Sequence, residues 1–258
     1  MADEVRVAVV TGGGRGLGRS ICLRLARAGM DVSLAGRDTA ALGDTAAAVE
    51  ALGRRALPVE ADVASEEQVA ALVARTRERL GPAAVLVNNA GIAGPTAPLH
   101  QVSRADWDRV LAVNLTGAFL CCRGFLPDLL ARRAGKVINI SSMAGKTGYA
   151  LRSHYAASKW GLIGLTRSLA LEAGPFNVQV NAICPGPVEG ERMRRVIRAR
   201  AAELGQSEAE VERAYVAGTA LGRMVPPEEV AELVAFLASP AADNITGQAI
   251  DVSAGYAL

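Results

Sequence analysis

Short apolar runs alternate along this chain with longer stretches whose apolar residues recur every three or four positions. The runs fall at 5–10, 32–35, 56–59, 84–87, 136–140, 178–183 and 249–252. Each reads as a strand buried on both faces. The helical patterns between them include a stripe of Leu17, Ile21 and Leu25, then an alanine-rich segment at 39–52. Ser65-Glu66-Glu67-Gln68 is a capping-box signature. It opens a helix with Val69, Leu72, Val73 and Leu80 on one stripe, stopped by Gly81-Pro82. Residues 104–132 carry one long helical pattern or two, with Asn114 inside. Residues 189–217 read as charged helices outside the sheet. Their apolar face is Met193, Val196, Ile197, Ala201 and Leu204, with Arg192, Arg194, Arg195 and Arg198 largely opposite. A last helix, 226–237, starts at two prolines. Strand and helix alternating over short connections predict an α/β, doubly wound parallel sheet with helices on both faces.

At 258 residues, half of them hydrophobic, the chain suits a single large domain spanning 1–258. A net charge of +2 gives no case for nucleic acid. No run of 18 apolar residues is free of charge, so no membrane span is expected. The acidic start, Met1 to Arg6, lacks a secretory pattern. Cys22, Cys121, Cys122 and Cys184 each sit in an apolar run and fit no zinc spacing. They read as buried free thiols of a cytoplasmic protein, with no metal site.

Between the first run and the first helix lies Thr11-Gly12-Gly13-Gly14-Arg15-Gly16-Leu17-Gly18. Strand, glycine turn, helix is the setting of a dinucleotide site: the backbone approaches a pyrophosphate and the helix N-terminus offers free N–H groups. An acid usually ends the second strand of an NAD site to hold the ribose hydroxyls. Here Gly36 stands there and Arg37 follows, with Arg15 in the turn nearby. Two guanidinium groups suit a 2′-phosphate and point to NADP(H), with NAD(H) as the alternative. Asp62, after the third strand, either reaches an adenine or turns the chain. Asn88-Asn89-Ala90-Gly91 permits close backbone approach after the fourth strand.

The chemistry concentrates at 142–159. Tyr155 and Lys159 lie one helical turn apart on one face. An ammonium beside a phenol stabilises the phenolate and fits the tyrosine for proton exchange near neutrality. Ser142 ends the 136–140 run, where its hydroxyl can bond a substrate oxygen beside that phenol. An alcohol or a carbonyl is the matching substrate. Asn114, unfavourable inside a helix, either has a specific task or is a solvated amide.

Taken together these motifs resemble the classical short-chain dehydrogenase/reductase family over nearly the whole chain. The markers are Thr11-Gly12-x-x-x-Gly16-x-Gly18, Asn88-Asn89-Ala90-Gly91, Asn114, Ser142, Tyr155-x-x-x-Lys159 and Pro185-Gly186, in order and spacing. Ser141, one residue early, has the wrong spacing. The resemblance implies a seven-stranded Rossmann fold, usually a homotetramer. Tyr155 is then the general acid/base, and Lys159 lowers its pKa and binds the nicotinamide ribose. Ser142 polarises the carbonyl, and Asn114 holds a proton-relay water. By matching position, Gly12, Gly14, Arg15, Gly16, Leu17, Arg37, Asp62, Val63, Asn89 and Val188, with Tyr155 and Lys159, line the cofactor. A helical substrate lid is expected at about 188–222. Family members often carry a threonine after the Pro-Gly, and here Pro187-Val188-Glu189-Gly190 has none. His154 is expected to point away from the chemistry.

The implied function is NADP(H)-dependent hydride transfer between a secondary alcohol and its ketone. A 3-oxoacyl thioester reductase and a small hydroxy-compound dehydrogenase are both open, as is an NAD-dependent sugar or polyol dehydrogenase. A non-catalytic cofactor sensor or scaffold, and a dehydratase or epimerase, are further alternatives. Arg152 and the arginines at 192–198 suit a carboxylate or a phosphate, or simply form a solvated face.

Overall fold

The computed structural model describes residues 6–257. The start of the first expected strand, at Val5, and the acidic N-terminus lie outside the described residues. Seven strands follow: β1 (Val7–Thr11), β2 (Asp31–Gly36), β3 (Ala56–Glu60), β4 (Ala83–Asn88), β5 (Gly135–Ile140), β6 (Val178–Pro185) and β7 (Ala249–Val252). They form one parallel sheet in the order β3-β2-β1-β4-β5-β6-β7. The central strands are buried along their full length, which is why they read as unbroken apolar runs rather than alternating ones.

Helices cover both faces. On one side are α1 (Gly16–Arg27), α2 (Thr39–Glu50) and α9 (Pro227–Leu237), which bury Ile21, Leu25, Leu42, Val49, Val234 and Leu237 against the sheet. The other side holds α3 (Glu66–Arg79), the pair α4 (Arg104–Leu111) and α5 (Gly117–Arg132), and α6 (Ser153–Ala173). Leu72, Leu120, Phe125 and Leu169 fill that second core. The stretch 104–132 is one continuous helix interrupted by a π-helical turn at Ala112–Thr116, and Asn114 sits in that turn. By length and hydropathy this helix could cross a membrane. Its apolar residues Cys121, Phe125 and Leu129 instead pack in the core against the sheet.

Asp31 anchors the start of β2. Its buried carboxylate accepts from Arg54 at 2.6 Å and from the side chain and backbone of Arg55 at 2.6 and 3.0 Å. Burial alone would raise its pKa, but these donors outweigh burial and hold it below the usual carboxylate range. The four cysteines are free and buried. Between β6 and α9 the chain leaves the sheet as α7 (Glu191–Leu204) and α8 (Glu208–Ala217). Their own core joins Val196, Ile197, Ala201, Val211, Tyr215 and Met224. Leu204, expected on that apolar face, is instead exposed near the helix end.

Candidate active site

Strand order reverses between β1 and β4, and sheets of this kind bind ligands beyond the carboxyl ends of the strands at such a point. The glycine turn lies there. Gly12 has φ 68°, a conformation that side chains resist. A Cβ on Gly18 would stand 1.9 Å from the Gly12 carbonyl oxygen, so only a glycine lets α1 approach the turn this closely. No side chain caps α1: Arg15 at its N-cap makes no capping bond, and its first turn holds no acid. The helix N-terminus is thus left to an external anion, and these residues fit a dinucleotide pyrophosphate. Asn89 braces the turn, donating to the carbonyls of Thr11 and Gly12 at 2.9 and 3.2 Å. Gly14 takes the Thr45 hydroxyl on its carbonyl, and Gly16 opens α1.

The remaining expected cofactor residues have different surroundings. Arg15 is ion-paired with Asp38, the N-cap of α2, and Arg37 stands 3.8 Å from Asp62. Asp62 does turn the chain, accepting from the Ala64 N–H at 3.0 Å, while meeting Arg37. Leu17 is half-buried, and the Val63 side chain packs in the core. Val188 bridges Val225 just beyond β6.

Further along the same end of the sheet, β5 leads to Ser142 and the first two turns of α6 deliver Tyr155 and Lys159. The Lys159 ammonium donates to the Ile140 carbonyl at 2.7 Å and lies 5.8 Å from the centre of the Tyr155 ring. Burial pushes the Tyr155 phenol up. The charges of Lys159 and Arg192, a hydrogen bond with Ser142 and the charge of Arg152 pull it down, and the net direction is down. Burial likewise lowers Lys159, against the pull of Tyr155. Ser141 faces away, its hydroxyl donating to the Lys159 carbonyl at 3.0 Å. Asn114 is buried, not solvated. Its Oδ1 accepts from the Ile92 N–H at 2.8 Å, and its Nδ2 donates to the Ile92 carbonyl and the Ser158 hydroxyl, both at 3.0 Å.

Three features were not legible in the sequence. Arg192, placed there on an outward face, folds in to donate to the Gly91 carbonyl at 3.2 Å, with its guanidinium carbon 5.9 Å from the Tyr155 ring centre. Tyr149 and Tyr215 share a 2.6 Å hydroxyl–hydroxyl bond that ties α8 to the segment before α6. His154 is wholly buried with its ring against Gly94; burial first and Arg152 second lower its pKa.

The chain belongs to the short chain dehydrogenase family, whose model matches residues 6–201. It is 39% identical to a cis-4-hydroxycyclohexanecarboxylate dehydrogenase of Sinomonas cyclohexanicum over 251 residues, covering 97% of this chain and 96% of that one. Two solved structures superpose with a TM-score of 0.93. One is an actinorhodin polyketide ketoreductase with NADPH, at 37% identity and covering 97% of each chain. The other is an NAD+-bound xylitol dehydrogenase, at 31% identity and covering 96% of this chain and 97% of that one. The protein is therefore a short-chain, NAD(P)-dependent alcohol dehydrogenase or ketone reductase acting on a small molecule.

Proposed function

We propose that the protein interconverts a secondary alcohol and its ketone with NADP(H), and that Tyr155 is the general acid/base. The observation that carries this reading is the geometry around Tyr155, whose ring centre lies 5.8 Å from the Lys159 ammonium and 5.9 Å from the Arg192 guanidinium carbon. When bound, the nicotinamide gives a hydride to the carbonyl carbon or takes one from the carbinol carbon. In reduction Tyr155 donates its proton to the substrate oxygen, and in oxidation it removes the hydroxyl proton. Ser142 hydrogen-bonds the same oxygen. Lys159 keeps the phenolate accessible and reaches toward the nicotinamide ribose. Asn114 fixes the Ile92 loop and Ser158, and with them the start of α6. A relay water at Asn114 remains part of this reading.

Arg15 and Arg37 favour NADP(H) because their present partners, Asp38 and Asp62, form solvent-exposed pairs. Such pairs are worth only about 0.2–1 kcal/mol, so a 2′-phosphate can displace them. The substrate is a small hydroxy compound or its ketone. Both a hydroxycyclohexanecarboxylate and xylitol, named for relatives, are secondary alcohols. A 3-oxoacyl thioester is the second reading, favoured by the likeness to a polyketide ketoreductase. We place residues 188–222 as the lid, within a single catalytic domain of a cytoplasmic protein. Exposed Phe119, Trp160 and Leu171 on α5 and α6 support a homotetramer, which light scattering tests.

The function is tested by following reduced-nicotinamide absorbance over ketones, thioesters and alcohols with each cofactor. Tyr155→Phe is expected to lower turnover about 10³-fold while still binding cofactor. A variant that keeps most of its activity removes Tyr155 from the proton path.

A further inference from the structure

Arg152 is a buried guanidinium, 3% exposed. Its hydrogen bonds among the described residues go to neutral groups: the Thr96 hydroxyl at 2.7 Å and the Ala93 carbonyl at 3.5 Å. The charged or titratable groups that act on it are Tyr149, Tyr215, Tyr155 and Arg192, with no carboxylate among them. Natural proteins seldom bury a cation without an anion, because desolvation is then uncompensated. Arg192 enters the same space from the first turn of α7, donating to the neutral carbonyl of Gly91. Other arginines on this surface do find acids, Arg194 with Glu191 and Arg198 with Glu208 among them. Arg152 and Arg192 are the arginines whose charges reach Tyr155, and their hydrogen bonds among the described residues go to neutral groups.

Two guanidinium groups bonded only to neutral partners present a pair of cations to one space. One arginine stands on the floor, immediately before the helix that carries Tyr155, and the other on the lid. Resting on the hydride-transfer reading above, we infer that Arg152 and Arg192 bind a carboxylate of the substrate, so that the protein acts on hydroxy acids and keto acids. A guanidinium presents paired donors that match the two oxygens of a carboxylate. Clamping the acid group from two sides fixes the carbinol carbon against Tyr155 and holds the lid closed over it. The two arginines are specificity-determining residues, distinct from the cationic groups at the glycine turn.

The test separates this inference from the catalytic reading by measuring binding in Tyr155→Phe protein with the oxidised cofactor, which has no hydride to give a ketone. With NADP bound, it is titrated calorimetrically with 4-oxopentanoate, 5-oxohexanoate and 6-oxoheptanoate, each beside its methyl ester. At least one acid is expected to bind about tenfold or more tightly than its ester. Arg192→Gln, on the exposed lid helix, and Arg152→Gln are each expected to bring that ratio close to one. The buried Arg152 variant is used only if its unfolding transition is intact, and the Arg192 variant decides alone if it is not. Equal binding of every acid and ester overturns the inference. So does an Arg192→Gln variant that binds NADP more weakly but keeps the acid preference, since its charge then serves the cofactor. Turnover in the wild-type enzyme reports separately: esters reduced with no acid preference leave the catalytic reading standing and sink this one.

Discussion

At the scale of single residues, the structure sets one phenol among cations, with the Lys159 ammonium and the Arg192 guanidinium carbon 5.8 and 5.9 Å from the Tyr155 ring centre. Burial opposes ionisation of Tyr155, and Lys159, Arg192, Ser142 and Arg152 together overcome it. The sign of the pH dependence follows. If Tyr155 is the base, as proposed, alcohol oxidation needs the phenolate, so its rate is expected to rise with pH through the Tyr155 pKa and level off above it. Removing a positive charge disfavours the phenolate and moves that limb to higher pH. Arg192→Gln, assayed with an uncharged secondary alcohol, is expected to shift the limb upward and slow oxidation several-fold at neutral pH. The pH profile of kcat/KM measures this. An unmoved limb with a lower plateau would mean that Arg192 positions the lid and does not tune the phenol.

At the scale of elements, the π-helical turn is the joint on which the site hangs. An extra residue in the turn aims Asn114 inward, where it holds the loop after β4 at Ile92 and the first turns of α6 at Ser158. Asn114→Leu keeps the number and branching of side-chain heavy atoms and strands the Ile92 N–H and carbonyl. Each buried unpaired group costs about 1–3 kcal/mol, so a loss of about 2–5 kcal/mol is expected in denaturant unfolding, with weaker cofactor binding. Stability equal to that of wild type would show that water replaces the amide.

What sequence could reveal follows the same division. Strands and glycine turn were legible because burial on both faces writes continuous apolar runs, and because phosphate approach needs residues without side chains. The Tyr155–Lys159 pair was legible because helical spacing is local. A partner across the fold leaves no such trace. That Arg37 meets Asp62, that Arg192 swings inward to Gly91, and that Tyr215 reaches Tyr149 all depend on where α7, α8 and the loops settle. The π-turn was hidden for the opposite reason. One added residue in a long helical pattern barely alters its periodicity.

At the scale of the whole molecule, cofactor binding is coupled to the stability of the fold. The glycine turn, α1 and the Asn89 brace join β1 to β4 at the centre of the sheet. A ligand bound only by the folded chain stabilises it by about 2.7 kcal/mol at a hundred times its Kd. For a domain of this size that raises Tm by about 5–10 °C. NADP is expected to exceed NAD at equal concentration, because Arg15 and Arg37 gain a 2′-phosphate in exchange for weak exposed pairs. The acids beside them set how large the difference is. Asp38 holds Arg15 and also places a negative charge near any phosphate bound there. Asp38→Asn keeps the side-chain oxygen that caps α2 through the Ala41 N–H, while it frees Arg15 and removes the repulsion. The variant is expected to widen the NADP-over-NAD gap in thermal shift, with a tenfold gain in preference corresponding to about 1.4 kcal/mol. A gap that stays the same would place the 2′-phosphate away from Arg15. An NAD shift larger than the NADP shift in the wild type would show that the carboxylates, and not the arginines, face the adenosine ribose.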